Sequence, residues 1–324
     1  MSLKVVITPR TFGKMDPTPM EMLQERGYEL TLNTSGRVLE EEELINLLED
    51  ADGLIVGLDP VTEKVLKSAK KLKVISKFGV GIDNIDLDAA TRMGILVTNT
   101  PGANSSAVAE LAFGLMLDLA RHISESDRSI RRGQWKSYRG FELNGKTLGI
   151  IGTGRIGREL AKRARCFNML LICHDIEEDH DWASQIGAKY LPLHDVLKNS
   201  DIVSLHIPLN NETYHIISAP ELQMMREGAI LINTARGGLI DENALYEALK
   251  DNQLAGAGLD VLETEPPEDS PLMDLENVVL TSHIGAHTVE ANRAMGIMAS
   301  QNVIEALSGE MPGFCVNPQA KAHK

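Results

Sequence analysis

The stretch Lys146-Thr-Leu-Gly-Ile-Ile-Gly-Thr-Gly-Arg-Ile-Gly-Arg-Glu-Leu-Ala161 decides the fold of this chain, because an apolar strand runs into three spaced glycines and directly on into a helix. Gly152 lets the chain turn sharply at the strand end, Gly154 lets backbone approach a pyrophosphate, and Gly157 lets the helix pack closely on the sheet. The helix start at Arg155 and Ile156 offers unpaired N–H groups and a positive dipole end to an anion, with the side chains of Arg155 and Arg158 expected in solvent. A second strand, Leu170-Leu-Ile-Cys173, leads to Asp175, 18 residues beyond Gly157. A carboxylate there accepts the ribose hydroxyls of an adenosine and repels a 2′-phosphate, so NAD is expected rather than NADP. Glycine-rich turns are common and an aspartate can simply cap a turn. The order strand, glycines, helix, strand, acid favours the dinucleotide reading.

At 324 residues the chain is too long for one ordinary core, and two domains are expected. Hydrophobic residues at 43% and charged residues at 24% describe a globular chain. The balance of 32 Lys+Arg against 46 Asp+Glu, a net charge of −14, disfavours non-specific binding to nucleic acid or anionic membrane. An anionic substrate must therefore meet a locally basic pocket. Cys166, Cys173 and Cys315 lack CxxC spacing, so neither a disulfide framework nor a metal site is expected. The first residues read as a strand rather than a signal peptide, and the most apolar helix, Ala107 to Ala120, carries Glu110 and Asp118. A cytoplasmic protein without membrane spans is the expectation.

Outward from the glycines, β-branched runs alternate with helical patterns. Val5-Val-Ile7, Met20 to Arg26, Glu29-Leu-Thr-Leu32, Glu40 to Leu48 and Leu54-Ile-Val56 read as β-α-β-α-β, continued by Val74-Ile75 and Ile95-Leu-Val97. This predicts a parallel α/β domain without a dinucleotide motif. A long helix from Asn104 or Ser105 towards Ile123 leads to a second α/β domain with strands Ile202–Leu205, Ala229–Ile232, Gly258–Val261 and Val278–Leu280. A final helix, Val289 to Leu307, and the tail Val316-Asn-Pro are expected to return to the first domain. In open α/β sheets ligands sit outside the carboxyl ends of strands, where Asp175, His206, Arg236, Asp260 and His283 all fall.

Three of these strand ends suit redox chemistry on a 2-keto acid. Arg236 offers a planar fork to a carboxylate. His283 can exchange a proton with the carbonyl or hydroxyl oxygen, and Glu265 can orient the imidazole and favour its protonated form. Each has a structural alternative: a turn arginine, a core histidine, a rigid-loop glutamate. Their joint placement beside a dinucleotide site favours the catalytic reading.

The chain resembles the D-isomer-specific 2-hydroxyacid dehydrogenase family, and within it the short phosphoglycerate dehydrogenases, from about Lys4 to Pro318. The resemblance is carried by Lys77-Phe-Gly-Val-Gly-Ile-Asp-Asn-Ile-Asp86, Asn99-Thr-Pro-Gly-Ala-Asn104, Leu143 to Gly157, Asn233-Thr-Ala-Arg-Gly-Gly238, Glu265-Pro-Pro and Ser282-His-Ile-Gly285. It implies two doubly wound parallel-sheet domains, a Rossmann NAD domain over residues 102–286 inserted in a flavodoxin-like substrate domain split between 1–101 and 287–324, with catalysis in the cleft. It further implies that Arg236 binds the substrate carboxylate, His283 is the acid/base and Glu265 its partner. Val80 and Gly81 would bind substrate through backbone N–H groups beside Asn104. His206, Pro208, Thr234, Ala235, Asp260 and Gly285 would line the cofactor, and a homodimer would form through the NAD domain. The implied reaction interconverts 3-phosphoglycerate and 3-phosphohydroxypyruvate in serine biosynthesis. Glyoxylate or hydroxypyruvate reduction, or NADH sensing by a corepressor-like protein, stand as alternatives, while nothing favours formate or phosphite oxidation. Gly57 occupies a position where many phosphoglycerate dehydrogenases carry a phosphate-binding arginine. Lys77 is then the nearest candidate cation, unless it is a strand-edge lysine. No C-terminal regulatory domain follows, so serine feedback is not expected.

Overall fold

The computed structural model describes residues 2–323, and the chain divides into two compact units, Met1–Asn104 with Ala286–Lys324, and Ser105–Gly285. Unit 1 opens with β1 (Lys4–Ile7), α1 (Thr18–Glu25), β2 (Glu29–Leu32), α2 (Glu41–Leu48), β3 (Gly53–Val56), α3 (Glu63–Ser68), β4 (Val74–Lys77), α4 (Leu87–Arg92) and β5 (Leu96–Thr98). All pairs are parallel, in the order β2-β1-β3-β4-β5, which is the flavodoxin-like winding. Helices cover both faces, so β3 is buried along its whole length and can be apolar throughout. The acidic run Glu40 to Glu43 is a capping box at the start of α2. Because β4 pairs with both β3 and β5, Lys77 lies on an interior strand, which corrects the strand-edge alternative.

Unit 2 runs through α5 (Ser105–Arg121), α6 (Ile123–Arg131), β6 (Thr147–Ile151), α7 (Arg155–Cys166), β7 (Leu170–His174), α8 (His180–Ile186), β8 (Ala188–Tyr190), α9 (Leu193–Asn199), β9 (Ile202–Leu205), α10 (Ala219–Met224), β10 (Ala229–Asn233), α11 (Glu242–Lys250), β11 (Leu254–Leu259) and β12 (Val278–Leu280). Its seven strands are parallel in the order β12-β11-β10-β9-β6-β7-β8. The winding reverses between β6 and β9, and the glycine loop leaves β6 at that switch point. Two expectations shift. The long helix stops at Arg121, because His122 takes φ +53° before α6 begins. The strand expected at Gly258–Val261 instead spans Leu254–Leu259, a run poor in β-branched residues. Its glycines are required by packing: a Cβ on Gly256 would lie 2.9 Å from Leu119, and one on Gly258 3.0 Å from Leu115, both on α5.

The chain then returns to unit 1 as α12 (Val289–Leu307), which packs on α1, β3 and β4 and whose Ser300 Oγ donates to the Pro19 carbonyl at 2.8 Å. No helix among the described residues is long and apolar enough to cross a membrane. The tail is fastened by Asn317, fully buried, whose Oδ1 accepts from Val97 N at 2.7 Å and whose Nδ2 donates to Thr91 Oγ1 at 3.0 Å and Ile95 O at 2.9 Å. Asn317→Ala removes all three and strands two backbone groups. The expected cost is about 2–4 kcal/mol. Calorimetry should show a lowered transition for unit 1 with unit 2 unmoved.

Candidate active site

The glycine loop is shaped by backbone contacts. Gly152 takes φ +96°, and a Cβ there would stand 2.5 Å from His206 O. A Cβ on Gly157 would stand 2.1 Å from Gly152 O, so only glycine allows α7 to approach β6 this closely. Gly154 differs, since a Cβ there would meet nothing within 4 Å. The space above it is open to a ligand, and the first N–H groups of α7, at Arg155, Ile156 and Gly157, have no partner within the helix.

Asp175 stands where the order of elements predicts. Its Oδ2 accepts from Thr153 N at 2.6 Å and Thr153 Oγ1 at 2.9 Å, and its Oδ1 from Glu177 N at 3.2 Å. Burial raises this carboxyl, but the hydrogen bonds from Thr153 and from the Glu177 and Ile176 backbone outweigh it and hold the group below its ordinary value. A charged, half-buried acceptor results. Neighbouring Cys173 is pushed up to about 12, by burial first and by Asp175 second, and is an inert thiol. Arg155 is exposed as expected. Arg158 is not: its Nε donates to Thr153 O at 2.8 Å and its Nη2 to Asp179 Oδ2 at 2.8 Å, which corrects its placement in solvent.

Leu205 and Asn233 are register partners, so His206 and Thr234 follow adjacent strands. His206 Nε2 lies 2.9 Å from Ser204 Oγ, while its Nδ1 is buried without a partner, and so is Thr234 Oγ1. The residue as a whole reaches the surface in part, yet burial of its ring pushes its pKa down to about 4. Pro208 O accepts from Thr213 Oγ1 at 2.7 Å, and Ala235 N donates to Asn233 Oδ1 at 3.0 Å. An open glycine cradle, a charged acceptor after β7 and two unpartnered buried polar atoms fit a dinucleotide.

A second group of residues stands at the ends of β10, β11 and β12. Arg236 leaves a turn in which Asn233 Nδ2 donates to Arg236 O at 2.7 Å and Arg236 Nη1 to Ala235 O at 2.7 Å. Asp260, 2% exposed, accepts from Thr281 Oγ1 at 2.6 Å, Ile284 N at 2.8 Å and Gly285 N at 2.8 Å. His283 N also donates to Asp260 O, and the histidine takes φ +54°. Held this way, His283 Nδ1 lies 2.7 Å from Glu265 Oε2, and Glu265 Oε1 accepts from Leu262 N at 3.1 Å. Among the described residues His283 Nε2 meets no hydrogen-bond partner, so this nitrogen remains for a ligand.

Lys77, Val80, Gly81 and Asn104 belong to unit 1. Lys77 is 3% exposed, and its Nζ donates to Gly57 O at 2.5 Å and Asn84 Oδ1 at 2.6 Å. Among the described residues the N–H groups of Val80 and Gly81 meet no acceptor, and Asn104 Oδ1 is buried without a partner. Sequence reading missed Thr153 and Tyr190, 2.7 Å apart, and the loop at His215. His215 N donates to Gly238 O at 2.8 Å and its Nε2 lies 3.0 Å from Glu263, so it ties the Arg236 turn to the Glu265 loop. A histidine in a polar loop carries no local signal of that role.

Residues 113–285 match the family described as D-isomer specific 2-hydroxyacid dehydrogenase, NAD binding domain. The chain is 46% identical over 294 residues to D-3-phosphoglycerate dehydrogenase of Methanocaldococcus jannaschii, covering 88% of this chain but only 56% of that relative. It is 44% identical over 303 residues to glyoxylate reductase of Thermococcus litoralis, covering 90% of this chain and 92% of that one. A crystal structure of a Thermus thermophilus protein superposes with a TM-score of 0.89 at 39% identity, covering 97% of this chain and 100% of that one.

The depressed pKa of His206 has a stability consequence. The folded chain resists a proton that the unfolded chain accepts near pH 6.5, so this contribution is complete above that pH and is lost as pH falls towards 4. It amounts to about 3 kcal/mol over the whole window. His206→Asn should therefore flatten the dependence of urea unfolding on pH between 6.5 and 5, and an unchanged profile would contradict the burial of the ring.

Proposed function

The chain belongs to the D-isomer specific 2-hydroxyacid dehydrogenase family with NAD as cofactor, and from that premise we propose that it reduces small, unphosphorylated 2-keto acids of the glyoxylate and hydroxypyruvate kind. The observation that carries the chemistry is the 2.7 Å pair of His283 and Glu265, on strand ends next to Arg236 in the cofactor-binding unit. Bound NADH supplies the hydride. Arg236 takes the substrate carboxylate in its planar fork and thereby orients the carbonyl. His283 Nε2 gives the carbonyl oxygen its proton, and Glu265 keeps the other ring nitrogen protonated and compensates the imidazolium. Asp260 holds the Thr281 to Gly285 loop by accepting from three of its groups, and its remaining acceptor capacity on Oδ2 suits the nicotinamide amide.

The choice of an unphosphorylated acid rests on Lys77. A phosphate carries nearly two negative charges and, in a chain of net charge −14, needs a close cation. The Lys77 ammonium is enclosed and given to Gly57 O and Asn84, which makes it a support for the Gly57 corner. Coverage of 92% of a glyoxylate reductase agrees with this choice. Phosphoglycerate oxidation is the second reading, favoured by the 46% identity to a phosphoglycerate dehydrogenase that is nearly twice as long as the matched segment.

A panel of glyoxylate, hydroxypyruvate and 3-phosphohydroxypyruvate with NADH tests the proposal. The unphosphorylated acids should give the higher kcat/KM. A phosphorylated preference would move the chain to the second reading, and absence of turnover on any 2-keto acid would leave an NADH-sensing protein. With an active substrate, Arg236→Ala should raise KM and lower kcat, together tens to thousands-fold, or about 2–5 kcal/mol. His283→Ala should chiefly lower kcat while NADH binding persists. We extend the proposal to a homodimer through unit 2, where Trp135 is 92%, Ile123 56% and Ile130 53% exposed. Sedimentation of Trp135→Arg should show a shift towards monomer, and an unchanged dimer would place the interface elsewhere.

A further inference from the structure

We propose that Arg158, Asp179 and Trp182 form a latch that withholds a guanidinium from the adenosine ribose, so that Asp179 acts with Asp175 in selecting NAD over NADP. Thr153 stands between the two parts. Its N and Oγ1 donate to Asp175, and its carbonyl accepts from Arg158 Nε at 2.8 Å, so the guanidinium and the ribose-binding carboxylate flank one residue. An arginine beside a ribose-binding carboxylate is the residue type whose planar fork can clamp a 2′-phosphate with paired N–H groups. Here it is committed elsewhere. Arg158 Nη2 donates to Asp179 Oδ2 at 2.8 Å, and the guanidinium carbon lies 4.9 Å from the centre of the Trp182 ring. Asp179 serves both partners at once, because its other oxygen caps α8 by accepting from Trp182 N at 3.0 Å.

The surroundings strengthen the effect. The recess at this edge is lined by Arg158, Glu177, Glu178, Asp179, His180 and Asp181, so four carboxylates face one guanidinium that one of them already neutralises. A 2′-phosphate would meet Asp175 on one side and this acidic rim on the other. The Arg158 and Asp179 side chains are 36% and 40% exposed, which keeps the ion pair weak and screened. Together with the ring contact it amounts to a bias of about tenfold rather than a fixed lock.

The latch is testable apart from catalysis on any keto acid, by titrating the adenine-side fragments 2′,5′-ADP and 5′-AMP calorimetrically into the purified chain. Asp175→Ser removes the direct repulsion. Adding Asp179→Ser, which keeps an oxygen for the helix cap but cannot hold the guanidinium, should tighten 2′,5′-ADP about tenfold more while changing 5′-AMP less than about twofold. Adding Arg158→Ala to that pair should abolish the gain. A gain that survives without Arg158 would mean that only negative charge was removed, and an affinity unmoved by Asp179→Ser would mean that Arg158 cannot reach the phosphate; either result overturns the latch. Trp182→Leu in the Asp175→Ser background supplies a second route to release without touching the cap, and should give a smaller gain in the same direction.

Discussion

The contact between Gly157 and Gly152, where a side-chain carbon would have to sit 2.1 Å from a carbonyl oxygen, brings α7 against the end of β6 at backbone distance. Gly152 in turn closes on His206 O, with room for no more than a hydrogen. Helix, strand and the loop after β9 therefore meet as three backbones, at the place where the sheet order reverses. From that meeting follow the aim of the first N–H groups of α7, the position of Thr153 between Asp175 and Arg158, and the enclosure of the His206 ring. A larger residue at either glycine would push these groups apart together, because a parallel sheet covered on both faces has no slack to absorb the displacement.

The other end of the same sheet solves a different problem. His283 sits on a loop in a left-handed conformation that L residues adopt at a cost of about 1–2 kcal/mol. Asp260 offsets that cost. Its carboxylate accepts from Thr281, Ile284 and Gly285, its carbonyl accepts from His283 N, and it is almost wholly buried, so the loop can take few other shapes. Glu265 then has only to meet one ring nitrogen. Rigid support of this kind fixes the His283 ring without burying it.

Charge is distributed with the same economy. A chain with 46 acidic and 32 basic residues holds its cations in defined pairings near its functional loops: Arg158 on Asp179, Lys77 on the Gly57 corner, Arg236 in a turn braced by Asn233. Selectivity between related anions then depends on which cations are committed to the protein and which can be given to a ligand.

Much of this was legible in the residues before any coordinates. The alternation of β-branched runs with helical periods specified two parallel α/β domains, and the spacing from Gly152 to Asp175 marked the candidate cradle, because strand, tight turn, helix packing and an acid after the next strand each demand a particular residue at a particular distance. Arg236, Glu265 and His283 were legible as a set because each follows a strand, and strand ends gather on one edge of an open sheet. Other features depend on atoms brought together from distant segments. Leu254-Ala-Gly-Ala-Gly-Leu259 is a strand because α5 needs its small residues, although its composition argues against one. Lys77 looks like an available cation until the Gly57 carbonyl and Asn84 enclose it. Arg158 looks like a helix-surface arginine until α8, 21 residues on, delivers Asp179 to its tip. Periodicity and turn chemistry act within a few residues and can be read along the chain, whereas the pairing of a charge is decided by whatever the fold sets beside it.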